Sequence, residues 1–286
     1  MSSIQPKPFD FKHLAILGPG LLGGSIGMAV KEIAPSTTIS VWGRREEALR
    51  AVKESGFADK TSLSLTETVE GCDLVILTTP IEVMAGLARS FAPALDSQAI
   101  VTDVGSVKKC VHEALQPILG SQRWIGSHPM AGSEQAGLAA ARADLFQRSV
   151  TILTPDENTP ASLLEKLTPF WQAMGSRTVT LAPALHDHLI SDISHLPHLV
   201  AALLVASVDD QSMPLAGPGF RDSTRIASGS PLLWREILLS NRHAVADSLD
   251  KFLDTAEIAR DILRSGDSVA LESLLAKACQ KRKILT

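Results

Sequence analysis

Apolar residues follow two different rhythms along this chain, and the change comes near residue 182. Before it, short apolar runs over 13–17, 38–42, 74–78, 99–103, 124–127, 150–153 and 178–181 read as strands. Most are separated by amphipathic stretches, such as 46–55, 81–91 and 107–119, that read as helices. Strands alternating with helices imply βαβ units and a parallel sheet. From 185 to 285 the apolar positions recur at three- and four-residue spacing, so this half is expected to be helical. Breaks are expected at Pro197, 214–219, 229–231 and 265–266, where Pro, Gly and Ser collect. The expected fold is α/β. A Rossmann domain over 1–182, with a doubly wound, mostly parallel sheet, is followed by an all-α domain over 183–286.

Length and charge narrow the class. At 286 residues the chain has room for two domains, and a net charge of −4 offers no basic surface for nucleic acid or an anionic membrane. The first twelve residues are polar and contain proline, unlike a signal peptide, and the apolar run 196–208 is too short to span a bilayer. Cys72, Cys110 and Cys279 are odd in number and far apart, which suits reduced thiols and a cytoplasmic location.

The most specific local signal follows the first strand. Gly18, Gly20 and Gly23 form a GxGxxG turn that opens a helical run to about Ile33. Gly18 permits the tight turn, Gly20 lets backbone approach a pyrophosphate, and Gly23 packs helix on strand. Together with Leu21 and Leu22, the first helical residues, they are expected to hold a nicotinamide dinucleotide at the helix N-terminus. An acid at the end of the next strand would bind the ribose 2′-hydroxyl of NAD. Here Gly43, Arg44 and Arg45 occupy that place, so NADP is favoured over NAD. The other reading of Arg44 and Arg45 is a solvated pair bonded to Glu46 or Glu47. Thr79 and Pro80 end a further strand at the carboxyl edge, as cofactor contacts or as a plain turn.

Further segments carry polar chemistry: Thr102–Lys108 (TDVGSVK), Gly126–Glu134 (GSHPMAGSE), Ser194–His198 (SHLPH), Gly219–Arg225 (GFRDSTR) and Pro231–Glu236 (PLLWRE). With the glycine turn, and in this order, they resemble the prephenate/arogenate dehydrogenases of tyrosine biosynthesis, nearly end to end. The resemblance is to the catalytic core, without the chorismate mutase or ACT domain fused to some relatives. It implies oxidative decarboxylation of a cyclohexadienol, with hydride passing to NAD(P)+ and the ring carboxylate leaving as CO2.

The resemblance implies roles for residues of this chain. His128 is the catalytic histidine, an imidazole able to accept the substrate hydroxyl proton. Ser106 belongs to the active site, although a serine just before 107–119 also suits a helix N-cap. Arg225 binds the ring carboxylate with Arg221 nearby. The two are four apart and share a face if the segment is helical, or else they bridge to Asp222 or Glu236. Ser194, His195 and His198 contribute to the substrate pocket, with Trp234 as a pocket wall or a core anchor. Prephenate is favoured over arogenate because His198 could hydrogen-bond near the side chain that distinguishes them.

His186 and His188 are expected to face solvent at a helix start, the alternative being that one of them approaches the cofactor. No acid or cysteine is spaced to complete a zinc set with the histidines, so no metal is expected. Apolar stretches such as 196–208 and 249–263 exceed what a helical lobe of this size hides, so a homodimer through that domain is expected. Two alternatives remain at this stage. One is a 3-hydroxyacid dehydrogenase or imine reductase with the same two-domain plan, and the other is a non-catalytic NADP-binding regulator.

Overall fold

The computed structural model describes residues 8–133 and 135–285. The N-terminal half runs β1 (His13–Leu17), α1 (Leu21–Ile33), β2 (Thr38–Trp42), α2 (Glu46–Ser55), β3 (Lys60–Ser62), α3 (Leu65–Val69), β4 (Leu74–Leu77), α4 (Ile81–Phe91), β5 (Ile100–Asp103) and α5 (Lys109–Leu119). The five strands form one parallel sheet in the order β3-β2-β1-β4-β5. Helices cover both faces, which is why β1 and β4 are continuous apolar runs and not alternating ones. Leu14, Ile16, Ile39, Val41, Leu74 and Ile76 pack towards α1 and α2. Their neighbours Ala15, Leu17, Val75, Leu77 and Val101 pack towards α4 and α5.

Beyond α5 the architecture continues through β6 (Gly126–Pro129), β7 (Val150–Thr154), α6 (Ala161–Ala173) and β8 (Arg177–Thr180). These strands make a second sheet, β6-β7-β8, with β6 antiparallel and β8 parallel to β7. A parallel bridge between Val101 and Trp124 joins the two sheets. Gly105 lies four residues past Val101 and His128 four past Trp124. The chain therefore brings Ser106 and His128 out at the same carboxyl edge, where open α/β sheets bind ligands.

The C-terminal half is helical: α7 (Pro183–Ile190), α8 (Leu196–Ala206), α9 (Pro218–Thr224), α10 (Pro231–Ser240), α11 (Arg242–Ser265) and α12 (Ser268–Arg282). Pro197 does not break the chain as expected. A π-helical turn, Ser191–His195, links α7 to α8 in one 24-residue rod. The wider turn accommodates a ring that lacks an N–H and would clash with the carbonyl four residues back. The rod is long and apolar enough to cross a membrane by length and composition, unlike the shorter run seen in sequence. Four of its polar residues, His186, Asp187, His195 and His198, are buried within the protein.

Other boundaries also differ. The strand expected over 124–127 lies at Gly126–Pro129, and the helix expected from 107 starts at Lys109. Exposed Leu203, Leu232, Leu239, Phe252, Leu253 and Leu263 leave a broad apolar surface on the helical half.

Candidate active site

The glycine turn is tight and leaves open space above the N-terminus of α1. Gly18 sits at φ +118°, outside the range of most side chains, and its N–H bonds Trp42 O at 3.0 Å. The Thr78 hydroxyl ties the turn to β4, donating to Gly18 O at 2.6 Å and Leu17 O at 3.0 Å. A Cβ on Gly23 would lie 2.3 Å from Gly18 O, so only glycine lets α1 approach the strand this closely. A Cβ on Gly20 would meet nothing within 4 Å, which leaves room for phosphate above the turn. α1 has no side-chain cap and no acid in its first turn, so the N–H groups of Leu21, Leu22 and Gly23 stay open to an anion. The buried Thr79 hydroxyl at the β4 edge has no partner among the described residues. Pro80 begins the turn into α4. Arg44 and Arg45 are exposed after β2, Arg45 as the extended residue before α2, with no carboxylate between Trp42 and Glu46.

Across the seam between the sheets lies a buried ion pair. Lys108 Nζ pairs with Asp103 and donates to Ser127 O at 2.8 Å. Asp103 also accepts from Gly105 N at 2.8 Å and Ser127 N at 3.2 Å. These contacts fix the loop carrying Ser106 against the strand carrying His128. Ser106 is half-buried and is not the cap of α5. That cap comes from the helical half, where Asp187 Oδ1 accepts from Lys108 N at 2.7 Å and Oδ2 from Lys109 N at 2.9 Å. A carboxylate there also suits the positive helix end.

His128 is buried, and its Nδ1 lies 2.8 Å from His186 Nε2. His186 Nδ1 in turn lies 2.8 Å from Asp187 Oδ1. His186 is thus buried and does not face solvent as expected, and its acidic partner is the adjacent Asp187. His188 is exposed, as expected. Asn241 Nδ2 lies 2.8 Å from Asp187 O and 3.1 Å from His195 Nδ1. His195 Nε2 is buried without a partner among the described residues.

His198 stacks on Trp234, with ring centroids 3.5 Å apart and 11° between planes, and Gly229 leaves the space for that stack. Trp234 itself is half-buried. Ser194 is half-buried in the π turn. Arg221 lies in α9, but Arg225 starts the following 3₁₀ turn, so the two do not share one helix face. Both are exposed, on a segment packed against α8, the helix of His198. Glu236 accepts from Glu82 N at 2.8 Å, at the start of α4.

Burial holds every histidine of this cluster towards its neutral form. The pKa of His128 falls well below 6.5 through burial, reinforced by His186, Lys108 and His195. For His186 burial outweighs the opposing Asp187 carboxylate. His195 drops to about 4, again through burial, and burial lowers His198.

These shifts set a stability profile. Below pH 6.5 the unfolded chain takes up protons that the folded protein refuses, so stability is full above that value and declines as pH falls towards 4. Asp59 and Asp156 are held below 3.8, hydrogen bonds outweighing their burial, and their loss begins only at lower pH. Urea midpoints should therefore fall between pH 6.5 and 4. A flat profile there would contradict the buried neutral cluster.

Asp103, Lys108, His186, Asp187 and Asn241 had no assigned role in the sequence. Asp103 and Lys108 stand in one quoted motif, five residues apart with opposite charge, which was a usable signal. Asn241 carried none.

Residues 26–180 match the prephenate dehydrogenase nucleotide-binding domain family, and residues 182–277 match the prephenate dehydrogenase dimerization domain family. A cyclohexadienyl dehydrogenase from Zymomonas mobilis is 35% identical over 264 residues, covering 90% of each chain. The prephenate dehydrogenase of Aquifex aeolicus, in complex with hydroxyphenyl propionate and NAD+, superposes with a TM-score of 0.87. It is 28% identical and covers 96% of this chain and 98% of its own. Synechocystis arogenate dehydrogenase gives 0.84 at 26% identity, over 96% of this chain and 100% of its own.

Proposed function

This chain belongs to the prephenate dehydrogenase family of NAD(P)-dependent oxidoreductases, and we propose that it oxidatively decarboxylates prephenate to 4-hydroxyphenylpyruvate. The observation that carries this reading is a buried His128 at the carboxyl edge of the sheets, on the same edge as the loop of Ser106. The hydroxyacid dehydrogenase, imine reductase and non-catalytic alternatives fall with the family assignment.

When bound, NAD(P)+ supplies the acceptor for a hydride from the ring carbon that bears the hydroxyl. His128 takes the hydroxyl proton as that carbon becomes a carbonyl, and a neutral imidazole is the form that can do so. The Ser106 hydroxyl orients the substrate oxygen. Loss of CO2 then sends the electrons of the broken C–C bond through the ring to that oxygen. There the imidazolium of His128 stabilises the charge and returns the proton. Arg225 pairs with the ring carboxylate and Arg221 adds positive potential beside it. Ser194, His195, His198 and Trp234 enclose the side-chain end, and the uncharged His198 suits the keto group of prephenate better than the ammonium of arogenate.

Arg225→Ala should raise the substrate KM by about 10- to 100-fold, the worth of a charge-assisted hydrogen bond, with the cofactor KM unmoved. An unchanged substrate KM would take Arg225 out of the pocket. Arg44 and Arg45 favour NADP through the 2′-phosphate, so the KM for NADP+ should lie below that for NAD+. A clear NAD+ preference would overturn that assignment. The apolar surface of the helical half is proposed to close a homodimer. The reaction itself is tested by following NAD(P)H absorbance with prephenate, arogenate and each cofactor. No reduction with either cyclohexadienol would refute it.

A further inference from the structure

A series of hydrogen bonds runs from the helical half to the reacting edge, and its first member fixes the direction of all the others. The Asp187 carboxylate can only accept. Its Oδ1 takes Lys108 N at 2.7 Å and faces His186 Nδ1 at 2.8 Å, while Oδ2 takes Lys109 N at 2.9 Å. His186 therefore carries its proton on Nδ1. Being neutral, it has a bare Nε2, which faces His128 Nδ1 at 2.8 Å. That nitrogen of His128 must then be the donor. We propose that Asp187 and His186 are positioning residues that hold the proton of His128 on Nδ1 and so leave Nε2 bare as the proton acceptor of the cleft.

This role rests on the reaction proposed above, but the geometry beneath it does not. The other charged or titratable groups that act on His128 are Lys108, at the start of α5, and His195, in the π turn. Lys108 is committed to Asp103 and Ser127 O, and neither group offers an acceptor to Nδ1. The same reasoning gives His195 the opposite arrangement. The carbonyl of Asp187 only accepts, so the amide nitrogen of Asn241 faces both it and His195 Nδ1. His195 Nδ1 accepts, and its proton sits on Nε2. One residue, Asp187, thus sets two histidines to opposite forms, through its carboxylate and through its backbone.

The consequence is a tautomer, and tautomers can be read directly. In the full-length protein with ¹⁵N-labelled histidine at pH 7.5, NMR should show His128 protonated on Nδ1, with its signals assigned by their loss in His128→Asn. In His186→Leu the acceptor is gone, so His128 should move to the Nε2-protonated form. kcat should then fall about 100-fold or more, as expected when a general base is turned the wrong way. The KM for cofactor should stay within about threefold, since no atom of the dinucleotide site is touched.

His186→Gln supplies an amide oxygen to accept from Nδ1 and an amide nitrogen to donate to Asp187. It should keep the Nδ1 tautomer and recover kcat to within about tenfold of the parent, a rescue that simple loss of packing would not show. Nε2-protonated His128 in the parent protein would overturn the proposal. So would equal loss of kcat in the Leu and Gln variants, or full kcat in His186→Leu. If His186→Leu does not fold, the parent spectrum and the Gln variant still decide. If the tautomers are as stated and no cyclohexadienol is oxidised, the reaction assignment fails and the positioning geometry stands.

Discussion

Replacing His128 by asparagine should lower kcat by about 10²- to 10⁴-fold, the range for loss of a general acid–base group, while cofactor binding stays intact. Asparagine is the informative choice because its amide nitrogen lies close to where Nδ1 was. It can still donate to His186 Nε2, so the buried imidazole keeps a partner and the fold keeps its chain of hydrogen bonds. What disappears is the basic nitrogen at the far side of the ring. Alanine would instead strand His186 Nε2 in the interior and confuse stability with chemistry. Steady-state kinetics with a melting curve on the same sample separates the two. Turnover within tenfold of the parent would show that another group takes the hydroxyl proton.

The largest expected effect on stability lies at the seam. Lys108 and Asp103 are buried, their side chains 1% and 0% exposed, and they join the loop of Ser106 to the strand of His128. Lys108→Met keeps most of the volume but leaves the Asp103 carboxylate, among the described residues, with the N–H groups of Gly105 and Ser127. Stranding one partner of a buried pair costs about 3–5 kcal/mol, which urea unfolding would show as a clear fall in midpoint. Adding Asp103→Asn removes the unpaired charge and keeps an acceptor for the backbone, so the double variant should be more stable than Lys108→Met alone. Additive losses would mean that the two side chains do not depend on each other. Because the pair fixes Ser106 against His128, the single variant should also lose kcat at temperatures where it remains folded.

The parts of this molecule written in local chemistry were legible in the sequence, and those written by distant residues were not. α2 has the expected limits because Glu46 and Glu47 favour its start and Gly56, at φ +75°, ends it. The glycine turn was readable because the strand before it and the helix after it restrict what three glycines can mean. By contrast β3 is Lys60–Ser62, a three-residue polar strand at the sheet edge with no apolar pattern.

The cap of α5 was misplaced at Ser106 because the acceptor that serves is Asp187, 78 residues further on for Lys109. His186 was misread for a related reason. A pattern search for apolar faces passes over a helix that turns His186 and Asp187 inward together with Ile190. The polar face of α7 is its buried face here, and only the partners His128, Lys108 and Asn241 reveal why. Pro197 was read as a break, yet the chain absorbs it in a π turn, Ser191–His195, in which His195 is buried.

The central claim is that this site couples hydride transfer to loss of the ring carboxylate. It is tested most directly by incubating the protein with NADP+ or NAD+ and prephenate labelled at the ring carboxyl carbon, then measuring NAD(P)H and labelled CO2 in the same sample. One CO2 released per cofactor reduced, with 4-hydroxyphenylpyruvate as the product, is the predicted result. Reduction without CO2, or no reduction with either cofactor, would contradict it.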